Sequence, residues 1–232
     1  MRHWLRLGML VFGLLIFGML VIAPMLLAEP ALAQPQPGTT TQAGDQVSEL
    51  TLERVLTSFA EMSGFSASFT EKKEMDLLAK PLTSSGTLHY SAPDKLVRRT
   101  DPPKESTVLI DGDTLSFAEG GEKQDSINLN EQPVVRQFVD GFRHVLAGDL
   151  AALQKDYTLD FQTSGEGWTL TLTPTGKDAR QLVEEVVVKG EGTALNTLIV
   201  KETIGDVTTT TFSQVQRDRT FTNEELEQLF SL

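Results

Sequence analysis

Few residues in this sequence have the types and spacing that chemistry requires. Gly64-Phe65-Ser66-Ala67-Ser68 approaches a nucleophile elbow, but the closing glycine is missing. The string also lies between a helical and a strand pattern, the reverse of the order that elbow needs. Of three histidines, His3 falls in an apolar leader, and His89 and His144 stand far apart without metal-ligand spacing. His144 reads as a surface residue, and His89 as a strand residue facing away from Leu88 and Tyr90. Glu184 and Glu185 are adjacent, so on a strand they point to opposite faces and cannot act as a paired acid and base. Asp111 and Asp113 flank Gly112, which reads as a hairpin turn more readily than a calcium loop, because no EF-type spacing follows. The basic pairs Lys72-Lys73 and Arg98-Arg99 read as solvated faces or docking points. No phosphate-cradling glycine loop is present, and with no cysteine the chain excludes disulfides, thiolate metal sites and a cysteine nucleophile. An enzyme is therefore disfavoured, and neither metal nor cofactor is expected.

The elements that would position any site begin with an apolar leader. Arg2, His3 and Arg6 precede an uncharged run from Leu7 to Ala28, and Ala31-Leu32-Ala33 supplies the small residues of a processing site. Residues 1–33 read as a signal peptide cleaved after Ala33, with an uncleaved membrane anchor as the alternative, since the run is long enough to span a bilayer. Residues 34–46 lack any large apolar side chain and read as a flexible spacer. Either way the rest of the chain is delivered across the inner membrane. The full chain of 232 residues carries a net charge of −12, and removing the leader, with Arg2, Arg6 and Glu29, leaves −13. That acidity argues against nucleic-acid binding.

Residues 47–232 read as one domain of mainly β structure with helices. Leu52, Val55, Leu56, Phe59 and Met62 recur at helical spacing, with Ser48 or Thr51 available as a cap. The period then becomes two. Phe65, Ala67 and Phe69 alternate with Ser66, Ser68 and Thr70, and some nine or ten short strands are expected along the domain. A central interruption carries Val134, Val135, Phe138, Phe142, Val145 and Leu146 on a helical stripe after Pro133, with Asn130 as its candidate cap. Gly148-Asp149 stops that helix and caps a shorter one at residues 150–155. Thr222-Asn223-Glu224-Glu225 is a capping-box pattern before a terminal helix. Strands at this spacing imply a barrel or strongly curved sheet, and the inserted helices must bury their stripes against its concave face. They either fill that face as ordinary core or cover it as a lid.

Phe65-Ser66-Ala67-Ser68-Phe69 and, farther on, Asp111-Gly112 before Leu115 and Phe117 together resemble the periplasmic lipoprotein carrier family, LolA and its relatives. Phe65-Ser66-Ala67-Ser68-Phe69-Thr70-Glu71 is similar to the family's F-x-A-x-F-x-Q strand. Gly86-Thr87-Leu88, the Ala92-Pro93 turn and Leu96 continue the likeness, and Asp111-Gly112-Asp113-Thr114-Leu115-Ser116-Phe117 is similar to its D-G-x-x-L-x-F hairpin. Downstream of Ser126 the likeness is one of element order. Ala92 stands where carriers of the family place a basic residue, and His89 where they often have an aromatic one. The resemblance implies an unclosed antiparallel β-barrel with a helical lid over an apolar cavity. It implies that Val134, Val135, Phe138, Phe142 and Leu146 line the lid, that Leu52, Leu56 and Phe59 support it, and that Leu96 and Val108 face the cavity. The implied function is a monomeric periplasmic carrier without catalysis. It takes a lipoprotein or other lipid from an inner-membrane exporter to an outer-membrane acceptor. A lipid-sensing regulatory domain that binds a signalling partner is the alternative from another class. It expects a second domain, for which about 186 residues leave little room.

Overall fold

A computed structural model describes residues 50–232. The signal peptide, its processing site after Ala33 and the spacer at residues 34–46 lie outside the described residues, as does the candidate cap Ser48.

The chain starts with helix α1 (Leu52–Ala60), whose Thr51 side chain accepts from the Arg54 amide at 3.3 Å. A meander follows: β1 (Gly64–Glu74), β2 (Leu82–Ser91), β3 (Lys95–Thr100), β4 (Ser106–Asp111), β5 (Thr114–Glu119) and β6 (Glu122–Asn128). A 3₁₀ turn at Leu129–Glu131 leads into α2 (Pro133–Leu146) and α3 (Leu150–Asp156). A second meander comprises β7 (Tyr157–Ser164), β8 (Gly167–Pro174), the one-turn helix α4 (Lys177–Arg180), β9 (Val183–Glu191), β10 (Ala194–Glu202) and β11 (Val207–Arg217). Helix α5 (Asn223–Leu229) closes the domain, with the Thr222–Glu225 capping box formed.

All eleven strands form one antiparallel sheet in the order β6-β5-β4-β3-β2-β1-β11-β10-β9-β8-β7. The two meanders join where β1 pairs with β11, and an extra residue on β11 near Gln214, at φ +51°, adds a bulge that bends the sheet there. Among the described residues β6 and β7 are free edges, so the curved sheet is an unclosed barrel. The segment between these edges, containing α2 and α3, therefore has to cross the open mouth of the concave face. Topology alone places helices there, and their apolar stripes turn them inward.

The concave face holds the main core, with Val55, Leu56 and Phe59 of α1 packed against Phe65, Trp168, Leu170 and Leu195. Phe59 meets Trp168 edge-on at 6.0 Å between ring centroids. The corner after α2 packs tightly on α1: Gly148 sits at φ +65°, and a Cβ there would come within 2.4 Å of Leu56 O. A separate cluster of Val97, Phe221 and Phe230 lies on the opposite face of the sheet, where α5 covers β3. Arg99 of β3 fixes that helix by donating to Leu229 O at 3.0 Å and Ser231 O at 2.8 Å, carbonyls that a helix end leaves without partners.

Three local expectations are corrected. Asn130 does not cap α2, which starts on Pro133 with no side-chain cap. Instead Asn130 bonds Asp113 and Arg136. The polar segment Glu122–Asn128 forms an edge strand, and the sheet has eleven strands where nine or ten were expected. The basic pairs are not solvated as pairs, because strand parity splits each one. Lys72 and Arg99 point to one face, while Lys73 and Arg98 are buried on the other, 7% and 8% exposed.

Candidate functional site: an apolar cavity beneath helix α2

A cavity of about 160 Å³ lies between α2 and the concave sheet. Phe138, Val139, Phe142 and Val145 come down from the helix, which has one turn of spacing between each contact row. Phe69, Leu88, Leu96, Val108 and Ile110 rise from the first meander; Leu172, Val186, Val188, Leu198, Val200 and Phe212 rise from the second. Walls that are mostly apolar favour an apolar occupant over water.

The ten residues singled out from the sequence divide by position. Leu96, Val108, Phe138 and Phe142 line this cavity. Val135 and Leu56 belong to the buried core, and Leu52 packs against it half-buried. Val134 is half-buried on α2 and lines neither cavity. Phe59 and Leu146 border a second void of about 10 Å³ under α1. A void that small is at the lower limit for one water molecule, roughly 10–15 Å³. The inserted helices do some of each: Val135, Leu146 and Leu153 join the main core, while Phe138 and Phe142 cover a cavity.

Helix α2 is held on its polar side by few contacts. Arg143 Nη2 donates to Asp94 O at 2.8 Å and Gly112 O at 2.6 Å, fastening the helix to the β2–β3 and β4–β5 turns. Arg136 bridges Asp140 at 3.0 Å and Asp113 at 3.2 Å. On the far side, Tyr157 Oη donates to Gln137 O at 2.9 Å, and its ring lies so close to Gly141 that a Cβ there would meet Oη at 2.6 Å. Burial raises the phenol's pKa, keeping it a neutral donor. The Asp111–Asp113 hairpin is fully occupied by such pairs: Asp111 meets Lys95 at 2.6 Å, while Asp113 accepts from Asn130 at 2.9 Å.

One corner of the cavity is polar. Glu71 of β1 accepts from Thr210 at 3.0 Å and Ser84 at 3.3 Å, and Arg98 Nη2 stands 2.9 Å from its Oε1. The Arg98 guanidinium also lies over the Phe69 ring, 4.3 Å from its centroid. Burial pushes the Glu71 carboxyl above the ordinary value of 4.5, with the Arg98 charge opposing that rise. One step further along β1, Lys73 pairs with Glu202 at 3.0 Å and Asp206 at 2.9 Å. The sequence reading took Lys73 and Arg98 for solvated or docking residues and gave Glu71 no role. The signal was present in parity: Phe69, Glu71 and Lys73 occupy alternate positions, as do Leu96, Arg98 and Thr100. Among the described residues no group of three or more His, Cys, Asp or Glu residues could hold a metal ion. No described helix is long and apolar enough to cross a membrane.

The described residues thus form an open eleven-stranded antiparallel sheet with a helix over an apolar hollow, and comparison with known proteins gives the family of that fold. Residues 44–229 match the family described as outer membrane lipoprotein carrier protein LolA-like, and the chain belongs to that family. No curated protein matches the chain. Among solved structures, a LolA superfamily protein from Nitrosomonas europaea, NE2245, is 12% identical, with 76% of this chain and 97% of that one covered at a TM-score of 0.41. A putative outer membrane lipoprotein-sorting protein domain from Vibrio parahaemolyticus is 10% identical, covering 76% and 95% at 0.41. The MucA/MucB complex of Pseudomonas aeruginosa is 14% identical, covering 75% of this chain and 58% of that one at 0.42.

Proposed function

We propose that this protein is a periplasmic carrier that shields the acyl chains of a lipoprotein or other lipid. It accepts its cargo from an inner-membrane exporter and ferries it toward an outer-membrane acceptor, with no covalent step. The observation that carries this reading is the apolar cavity beneath α2, within a domain of the LolA-like family. Exposing an acyl chain to water costs ~0.8 kcal/mol per CH₂, so transit through an aqueous compartment requires a sheltered site. At about 160 Å³ the cavity is smaller than the 300–1,000 Å³ of ordinary ligand pockets. A whole acyl chain therefore enters only when α2 lifts, and the helix closes again over an empty site. The cavity residues from both meanders and from α2 would surround the chain, while α1, with Leu52, Leu56 and Phe59, would keep its end of the sheet packed. The net charge of −13 expected after leader removal would keep the carrier off anionic membrane surfaces between deliveries.

The test is to express the full chain with its leader, purify it without detergent, extract it into organic solvent and identify lipids by mass spectrometry. Lipid in near-equimolar amount, transferable to acceptor membranes, is the expected result. A preparation that carries no lipid and binds no acyl probe would overturn the carrier reading. Lipid-dependent capture of a signalling partner, without transfer, would instead establish the regulatory role.

A further inference from the structure

The polar corner of the cavity is not explained by acyl-chain shelter alone. Glu71, Arg98, Thr208 and Thr210 all line a cavity whose other walls are almost entirely apolar. Three of the four are satisfied: Thr210 donates to Glu71, and Glu71 and Arg98 form an ion pair. Thr208 is not. It is 1% exposed, and its Oγ1 has no hydrogen-bond partner among the described residues. A buried hydroxyl without a partner is costly and rare, and calls for a group that the protein itself does not supply. Arg98 gives Nη1 to Thr100 at 3.2 Å and holds Nη2 2.9 Å from Glu71, and since a guanidinium carries five N–H donors, it can offer a further one to a group in the cavity.

The charges at this corner decide what kind of group fits. Arg98 and Lys73 face Glu71, Glu202 and Asp206, so the two cations are already outnumbered. The remaining cation at the cavity, Arg143, gives Nη2 to Asp94 O and Gly112 O and pairs its charge with Asp140, although its Nε has no partner among the described residues. No spare positive charge is left for a carboxylate or phosphate. A neutral group that accepts hydrogen bonds is matched instead.

Resting on the carrier reading, we infer that the cavity selects a neutral amphiphile: an acyl chain whose ester, amide or hydroxyl group hydrogen-bonds Thr208 Oγ1 and the Arg98 guanidinium. The apolar walls take the chain, and the polar corner fixes how far it enters. Cargo with an ester beside its chain is thereby favoured over a free fatty acid or a bare hydrocarbon.

The experiment loads the delipidated protein, expressed as the full chain with its leader, with the neutral fluorophore N-phenyl-1-naphthylamine and displaces it with monolaurin, laurate or dodecane. For the native protein, monolaurin displaces the probe at a concentration about tenfold below laurate, a gap of about 1.4 kcal/mol. Thr208→Val, which keeps the shape and removes the hydroxyl, weakens monolaurin about tenfold and leaves dodecane within about twofold. Thr208→Ser restores the preference. Laurate binding as tightly as monolaurin, or an unchanged monolaurin constant in Thr208→Val, overturns the inference. If Thr208→Val fails to fold, the order of affinities in the native protein still decides it. A native protein that takes up no fluorophore overturns the carrier reading as well, and so is distinguishable from loss of selectivity alone.

Discussion

Replacing Arg143 by Met tests whether α2 is a movable cover. Methionine keeps an apolar stem at the cavity wall while removing the guanidinium that reaches Asp94 O and Gly112 O. Hydrogen bonds from a charged donor contribute roughly 1.5–3 kcal/mol each, so the gross loss for two is about 3–6 kcal/mol. Both acceptors lie in turns at the rim, where water can replace the lost donor, and a net weakening of about 2 kcal/mol is a reasonable share of that figure. Two kcal/mol is a shift of about 30-fold in the equilibrium between lifted and seated helix. If a chain enters only when α2 lifts, as proposed, apparent affinity scales with the lifted fraction. The variant should bind an acyl fluorophore up to about 30-fold more tightly while the domain melts about 4–8 °C lower. Hydrogen exchange should accelerate in residues 133–146 and hardly at all in β1 or β11. A variant that melts lower with affinity and helix exchange both unchanged would refute the reasoning, since Arg143 would then be an ordinary structural contact.

Two other perturbations report on separate parts of the molecule. Val188→Phe projects a larger side chain into the cavity from β9 and should reduce acyl-probe binding at least about tenfold, while thermal melting stays within a few degrees because empty space accepts the ring. Unchanged probe binding would show that the ligand lies elsewhere. On the opposite face, His89 bonds Ser66 at 2.8 Å and meets Phe221 edge-on, and burial, with Arg219 and Arg99 adding to it, holds its pKa below the ordinary 6.5. The unfolded chain therefore binds the extra proton first. The stability contributed by neutral His89 is present above pH 6.5 and is lost as pH falls toward the depressed value. Denaturant titrations from pH 7.5 to 5 should show a slope that His89→Gln flattens, and identical slopes in both proteins would exclude His89 as its source.

Much of this architecture could be read from local patterns, because local physics decides them. The α2 stripe, the tight turn at Gly112 and the Thr222 capping box each depend on a few neighbouring residues, and each forms where the spacing places it. The strand Glu122–Asn128 escaped because it is an edge strand with few apolar residues to signal burial, and charge on an edge also discourages pairing with other chains. Whether a helix fills or covers the concave face is decided by side chains on distant strands, and no periodicity within the helix reports it. Phe59 and Phe138 look alike in their own stripes, yet one borders a void of about 10 Å³ and the other a cavity of about 160 Å³. The polar corner was hidden for another reason: charged residues inside a curved sheet resemble surface residues until strand parity is followed past the last apolar position.

The free edges of the sheet bear on how such a protein can change its internal volume. In a closed barrel every strand has two hydrogen-bonded neighbours, so widening the lumen means breaking a ladder. Here the helical segment ties β6 to β7 across a gap that no ladder spans among the described residues. Spreading or drawing together these edges would leave all ten interstrand ladders intact. Expansion would then draw on the turn contacts of α2 and on sheet curvature and leave the backbone ladders in place. If the domain carries cargo as proposed, it would swell for its contents and shrink when emptied without passing through a partly unfolded state.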